Sequence, residues 1–223
     1  MHKPIFQSLF LSMLGVLFFF ILTFASAGTI NYWQGWFYCL VVGIELTVIT
    51  VNIAIHNPKL FKRRMQMGRE KEKTQKILVL LGTPLILAFL VLPPLDHRFG
   101  WSPVPWYLSI LGDFLVFIGL YIYYIVTKEN SFASSNVRVE KDQELIQTGT
   151  YGIIRHPMYA GALIYILGAP LALGSLWVML ITPVFFLFFA IRATEEEKLL
   201  RSELKGYKEY QNKVRWRLIP GIF

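Results

Sequence analysis

Two polar clusters in the C-terminal third carry residue types that could do chemistry. The first is the run Thr148-Gly149-Thr150-Tyr151-Gly152-Ile153-Ile154-Arg155-His156-Pro157-Met158-Tyr159. Pro157 lacks an N–H and has its φ fixed, which suits the first turn of a helix. His156 then stands at the helix entrance, where unpaired backbone N–H groups gather positive potential. Gly149 and Gly152 permit a tight backbone turn just before it. Such an entrance can cradle a ligand carboxylate or phosphate, although many ordinary turns before helices look the same. The second cluster is Arg192 with Glu195, Glu196 and Glu197. Read alone, these glutamates are a solvated first turn favoured by the helix dipole.

The segment between the clusters decides whether they meet. It is apolar over 158–191 and is interrupted by Pro170 and Gly174. The pattern predicts a helix from Pro157 to about residue 169, a turn, and a returning helix over 176–191. Each arm has about 14–16 residues, some 21–24 Å at 1.5 Å per residue. That is short for a full membrane span. The hairpin delivers the second cluster to the same face of the membrane as the first. Beyond it, Leu199, Leu200, Leu204 and Tyr207 recur at helical spacing. An amphipathic interfacial helix over 193–213 is therefore expected.

Upstream, the composition requires lipid. Of 223 residues, 55% are hydrophobic and only 16% charged, against about 25% charged in soluble domains. A soluble domain of this size needs a more polar exterior. Residues 5–27, 33–55, 77–95 and 106–126 each reach the roughly 20 residues that cross a hydrocarbon core of about 30 Å. The fold class expected is all-α integral membrane, with four transmembrane helices in 1–126. Residues 127–223 add the hairpin, 157–191, and a cytoplasmic interfacial helix. Pro84 should kink the third span, which neighbouring helices tolerate. Trp33, Trp36, Trp101, Trp106 and Tyr107 cluster as an interfacial belt would.

Charge gives the orientation. All of the 22 Lys and Arg except Arg98 fall on one side of this topology, so both termini should be cytoplasmic. This accounts for the net charge of +8 without nucleic acid. Topology suffices for the basic run 59–76, which could also meet anionic lipid headgroups. Ala25-Ser26-Ala27 resembles a signal cleavage site, but the preceding apolar run exceeds the usual 7–15 residues of a signal core. An uncleaved first helix is expected. Cys39 is the single cysteine, so no intrachain disulfide and no cysteine metal site can form. Glu45 and Asp113 fall within spans, where an ionisable group costs roughly 2.5–3.5 kcal/mol. An interhelical hydrogen bond is the simpler reading for each, a polar path for substrate or ion the other.

The C-terminal residues also follow a known order. Asn130-Ser131-Phe132, the run from Thr148 to Tyr159, Gly161, Gly168, Pro170-Leu171, Ser175, Arg192 with Glu195-Glu196, Tyr207, Tyr210 and Arg217-Leu218-Ile219-Pro220 resemble the isoprenylcysteine carboxyl methyltransferase family, in its bacterial type. The resemblance covers 130–223; the preceding part matches only in being membrane helices. It implies S-adenosylmethionine (S-adenosyl-L-methionine) in a pocket of the C-terminal region and a lipid acceptor between transmembrane helices. It further implies that Gln143, Glu144, Leu145 and Ile146 form the adenosine-side segment. Tyr151, His156, Pro157, Met158 and Tyr159 are then cofactor contacts, with Arg138 a further polar one. Glu196, or its neighbour Glu195, closes the pocket from the returning helix, and Arg192 positions the reacting group. Gly149-Thr150-Tyr151 stands where the family has Gly-Pro-Tyr, and Val214-Arg215-Trp216 where it has Val-Pro.

This reading is chemically consistent. A carboxylate or thiolate attacking a sulfonium methyl needs no base. It needs positioning and loss of water. A fixed cation such as Arg192 can orient a carboxylate bidentately, and Glu196 can hold the amine or ribose of the cofactor. The expected enzyme is an S-adenosylmethionine-dependent methyltransferase with a lipidic or small-molecule acceptor, set among membrane lipids, with no nucleic acid and no metal. Phospholipid amines and small thiols are variant acceptors. An NADPH-dependent, sterol-reductase-like enzyme shares the His-Pro-x-Tyr hairpin, but Glu195-Glu196 suits a cationic cofactor better than a phosphorylated one. A small transporter using Glu45 and Asp113 is the non-enzymatic alternative.

Overall fold

The computed structural model describes residues 2–64, 73–133, 139 and 143–223. Arg138, expected near the cofactor, and Arg69, Lys71 and Lys141 of the basic segments lie outside the described residues. The helices are α1 (His2–Ala27), α2 (Trp33–His56), α3 (Pro58–Arg64), α4 (Lys73–Phe99), α5 (Trp106–Glu129), α6 (Pro157–Ala172), α7 (Thr182–Glu203) and α8 (Tyr207–Lys213). Short 3-10 turns at Gly149–Gly152 and Trp177–Ile181 lead into α6 and α7. Four described stretches, Ile5–Ala27, Trp33–His56, Trp106–Glu129 and Trp177–Glu203, are long and apolar enough to cross a membrane. The expected third span, 77–95, lies inside α4.

α5 and α6 form the closest seam. Gly112 and Gly119 stand two turns apart on α5, and Gly168 and Gly161 do the same on α6. A Cβ on Gly168 would lie 2.6 Å from the Gly112 carbonyl oxygen, and one on Gly119 would lie 2.6 Å from that of Gly161. The two backbones therefore touch. Small residues at such seams are how helices associate where lipid removes the hydrophobic drive. Val116, Ile166, Ala169 and Ala172 fill the seam around the glycines. Asp113 and Ser109, one turn apart, are also buried on α5. The interhelical hydrogen bond expected for Asp113 does not form, since neither side chain has a partner among the described residues.

The two ends of the bundle differ chemically. At one end Tyr32 donates to the Leu173 carbonyl at 2.5 Å, and Ser175 donates to Asp96 at 2.6 Å. Asp96 also accepts from the Ser102 amide at 2.7 Å. These bonds fasten the hairpin turn, where Gly174 takes φ +73. At the other end the basic segments gather. The short helix α3 turns back onto α5, with Arg63 donating to the Ser131 carbonyl at 2.9 Å and Arg64 to that of Ala133 at 2.6 Å.

The returning arm is longer than its apolar run. α7 continues without a break through Arg192 and the glutamates to Glu203, because Arg, Glu, Lys and Leu are all good helix formers. It ends there, and the chain turns into α8 at Gly206, whose φ of +82 is left-handed. The single helix expected over 193–213 is thus the end of α7 plus α8. Gly168→Ala should destabilise the protein by about 1–3 kcal/mol through overpacking, measured as a lowered Tm in detergent. Gly15→Ala, where a Cβ meets nothing within 4 Å, should leave Tm unchanged or raised.

Candidate functional site

The 3-10 turn before α6 is held from α5. Gly149 takes φ +61, and the Thr150 amide and hydroxyl donate to the Glu129 carboxylate at 3.0 and 2.5 Å. Tyr151 follows, its hydroxyl accepting from Asn130 at 2.9 Å. Burial pushes its phenol up to about 12. The amides of Arg155 and His156 then donate to the carbonyls of Trp216 and Arg217, both at 2.9 Å. Two of the N–H groups of the anion cradle expected at the His156 entrance are therefore taken by the C-terminal tail.

The three consecutive glutamates of α7 do three different things. Glu195 points outward and pairs with Lys198 at 2.6 Å. Glu196 faces the interior cleft and accepts from the Tyr159 hydroxyl at 2.6 Å. Glu197 is buried, 1% exposed. It accepts from Arg155 Nε at 2.7 Å, Gln211 Nε2 at 3.0 Å and Arg217 Nε at 3.1 Å. His156 Nε2 lies 3.4 Å from the same carboxylate without hydrogen-bond geometry. Arg155 also donates through Nη1 to the carbonyls of Val214 and Arg215 at 2.6 and 2.8 Å. Successive helical positions differ by about 100° in direction, so identical neighbours meet solvent, cleft and core.

Tyr159 joins the two clusters. Its hydroxyl accepts from Arg192 Nε at 3.1 Å while donating to Glu196. Its ring stacks on His156, with centroids 5.4 Å apart and planes 6° apart. A buried guanidinium, a phenol and a carboxylate thus stand in one hydrogen-bonded line.

A cleft of about 830 Å³, including its open mouth, lies against this line. Of the residues the sequence singles out, Gln143, Glu144, Leu145, Ile146, Tyr151, His156, Pro157, Met158, Tyr159 and Glu196 line it. Glu195 is turned away from it. Arg192 is behind Tyr159, 7% exposed. The sequence places Arg155 and Glu197 in the two clusters but assigns neither a role; in the structure their ion pair holds the cleft together. The sequence reading also gave Leu199, Leu200, Leu204 and Tyr207 to the membrane interface, whereas they form a cleft wall with Tyr210. Their helical spacing was visible, but spacing shows only that a face is apolar, not what covers it. Among the described residues no three His, Cys, Asp or Glu side chains converge as metal ligands.

Removing one partner of a buried ion pair strands the other, at a cost of about 3–5 kcal/mol. Glu197→Gln should therefore lower Tm sharply in detergent-solubilised protein. Glu195→Gln should change stability by no more than about 0.5 kcal/mol. Equal Tm values for the two variants would contradict this division of roles.

A family profile described as phospholipid methyltransferase matches residues 107–205, which run through α5, α6 and α7. A probable protein-S-isoprenylcysteine O-methyltransferase of Oryza sativa subsp. indica is 30% identical over 154 residues, covering 66% of this chain and 81% of its own. The protein-S-isoprenylcysteine O-methyltransferase of Saccharomyces cerevisiae is 32% identical over 121 residues, 52% of this chain and 51% of its own. The structure of a eukaryotic intramembrane Ras methyltransferase (isoprenylcysteine carboxyl methyltransferase) matches 99% of this chain and 97% of its own. At a TM-score of 0.51 and 16% identity, that match speaks for the shared membrane fold. The profile spans the three long helices next to the cleft, and the chain belongs to the isoprenylcysteine carboxyl methyltransferase family of multi-pass membrane methyltransferases.

Proposed function

We propose that the methyl donor is S-adenosylmethionine, held in the cleft between residues 143–146 and α7. The acceptor is a carboxylate or thiolate on a lipidic or small molecule, brought against Arg192. The carrying observation is the line Arg192–Tyr159–Glu196. It places an acid toward the cleft and a cation one phenol away, which suits a cationic donor and an anionic acceptor in adjacent positions.

The residues present fit the donor. Leu145, Leu199, Leu200, Leu204 and Tyr210 give an apolar wall for a flat base. Glu196 offers negative charge to an amine or ribose, and its side chain is 25% exposed. Two buried polar atoms without a hydrogen-bond partner among the described residues, His156 Nε2 and the Tyr207 hydroxyl, belong to cleft-lining residues. When bound, the donor supplies an electrophilic methyl group on a sulfonium.

The chain's own residues then position and desolvate. Arg192 orients the acceptor's carboxylate. Tyr159 keeps the guanidinium and the Glu196 carboxylate at fixed separation. An ionised acceptor is already nucleophilic, so no residue need take a proton. Alignment and exclusion of water supply the acceleration. The names of the curated relatives attach their chemistry to isoprenylcysteine. For this chain the proposed acceptor is the wider class of anionic group with an apolar body. The site lies at the end that gathers the basic residues, so the positive-inside rule puts it, and both termini, at the cytoplasmic face.

Calorimetry on the purified protein in detergent tests this reading. S-adenosylhomocysteine should bind and NADPH should not. Glu196→Gln should weaken S-adenosylhomocysteine by about tenfold or more, the worth of one hydrogen bond to a charged group, with a smaller loss of Tm than Glu197→Gln. Binding of NADPH alone would replace the methyltransferase assignment of the cleft with a reductase one.

A further inference from the structure

One buried polar atom of a cleft-lining residue has no part in the fold and has no contact assigned to it above. Tyr207 is 3% exposed and lines the cleft. Its hydroxyl has no hydrogen-bond partner among the described residues. The neighbouring ring behaves differently: the Tyr210 hydroxyl donates to the Tyr151 carbonyl at 2.7 Å. Both rings sit in one apolar cluster with Leu204 and Val214, their centroids 5.6 Å apart. Packing there explains an aromatic ring at 207. It does not explain the oxygen, since phenylalanine would fill the space without a buried polar group left unpaired.

Backbone geometry brings that residue into the cleft wall. In an unbroken helix Tyr207 would stand about 15 Å along the axis from Glu197. The break at Gly206, φ +82, folds it back to within electrostatic reach of Glu196 and Glu197. Burial, then those two carboxylates, raise its phenol well above the ordinary value. The hydroxyl keeps its proton at any physiological pH and is a donor without an acceptor. Leu145 and Leu200 pack on the same cluster, so the donor is set in the apolar wall, beside the acid rather than on it.

We infer that the Tyr207 hydroxyl reads the nucleoside: it donates to an acceptor atom on the adenosine part of the bound donor, a ring nitrogen or a ribose oxygen. The inference rests on the donor assignment above and adds a specificity-determining contact to it. An apolar wall holds a purine by shape alone, and a fixed hydroxyl in that wall sets its orientation.

The test is Tyr207→Phe in the full chain, titrated by calorimetry with S-adenosylhomocysteine and with 5′-methylthioadenosine, which keeps the nucleoside and lacks the amino-acid part. Both affinities should fall by the same factor, about five- to tenfold. The ligand-free Tm should hold or rise, because an unpaired buried hydroxyl has been removed. Tyr210→Phe is the contrast, since its hydroxyl is already paired: its ligand-free Tm should fall. Unchanged affinities, or a loss confined to S-adenosylhomocysteine, would overturn the inference. So would a ligand-free Tm that falls in Tyr207→Phe as it does in Tyr210→Phe. If the unaltered protein binds neither compound, the donor assignment fails and this contact with it. If it binds both and the variant matches it, only this contact fails.

Discussion

The structure turns on the buried carboxylate of Glu197. A charge there is tolerable only because its oxygens are met from several sides: Arg155, Gln211 and Arg217 all donate to it. Buried ions are costly to strand and are retained where their partners are complete. Arg155 extends the arrangement, since its Nη1 donates to two carbonyls of the C-terminal tail. The entrance to α6, the end of α7, α8 and the tail are thereby fixed to one point, and the cleft is the space they enclose.

That cap is positioned by the membrane helices below it. The glycine seam between α5 and α6 sets where Pro157 begins, and the end of α5 supplies Glu129 and Asn130 to the turn just before it. The hairpin turn at the far end is locked by Asp96, Tyr32 and Ser175, so α7 returns at a defined height. Arg192 then lies beside Tyr159 and Glu196 beneath the cleft. Charged and hydrogen-bonded groups act more strongly in such surroundings than in water. A reaction that needs alignment rather than proton transfer gains most from that rigidity.

Several features of the site were unreadable for a common reason. Glu195, Glu196 and Glu197 are the same residue type in a row, and composition cannot say which faces the core. Helix phase decides it, and phase is set by what packs on α7. The stripe Leu199, Leu200, Leu204 and Tyr207 was legible as apolar, but the break at Gly206 turned it from the interface to the cleft. The amides of Arg155 and His156 read as open because the tail carbonyls that accept from them come from about 60 positions downstream.

Residue types and their spacing were enough to give the membrane class, the gathering of basic residues at one end, the hairpin around Pro170 and Gly174, and the order of motifs that marks the family. These are properties of single segments: hydropathy over about 20 residues, a proline or glycine at a turn, a run of residue types. The tertiary structure decided which glutamate supports, which faces the cleft and which meets water. It also made Arg155 a structural anchor and carried Tyr207 back over the cleft. Burial and pairing depend on segments distant in the chain, and one helix's periodicity carries no information about them.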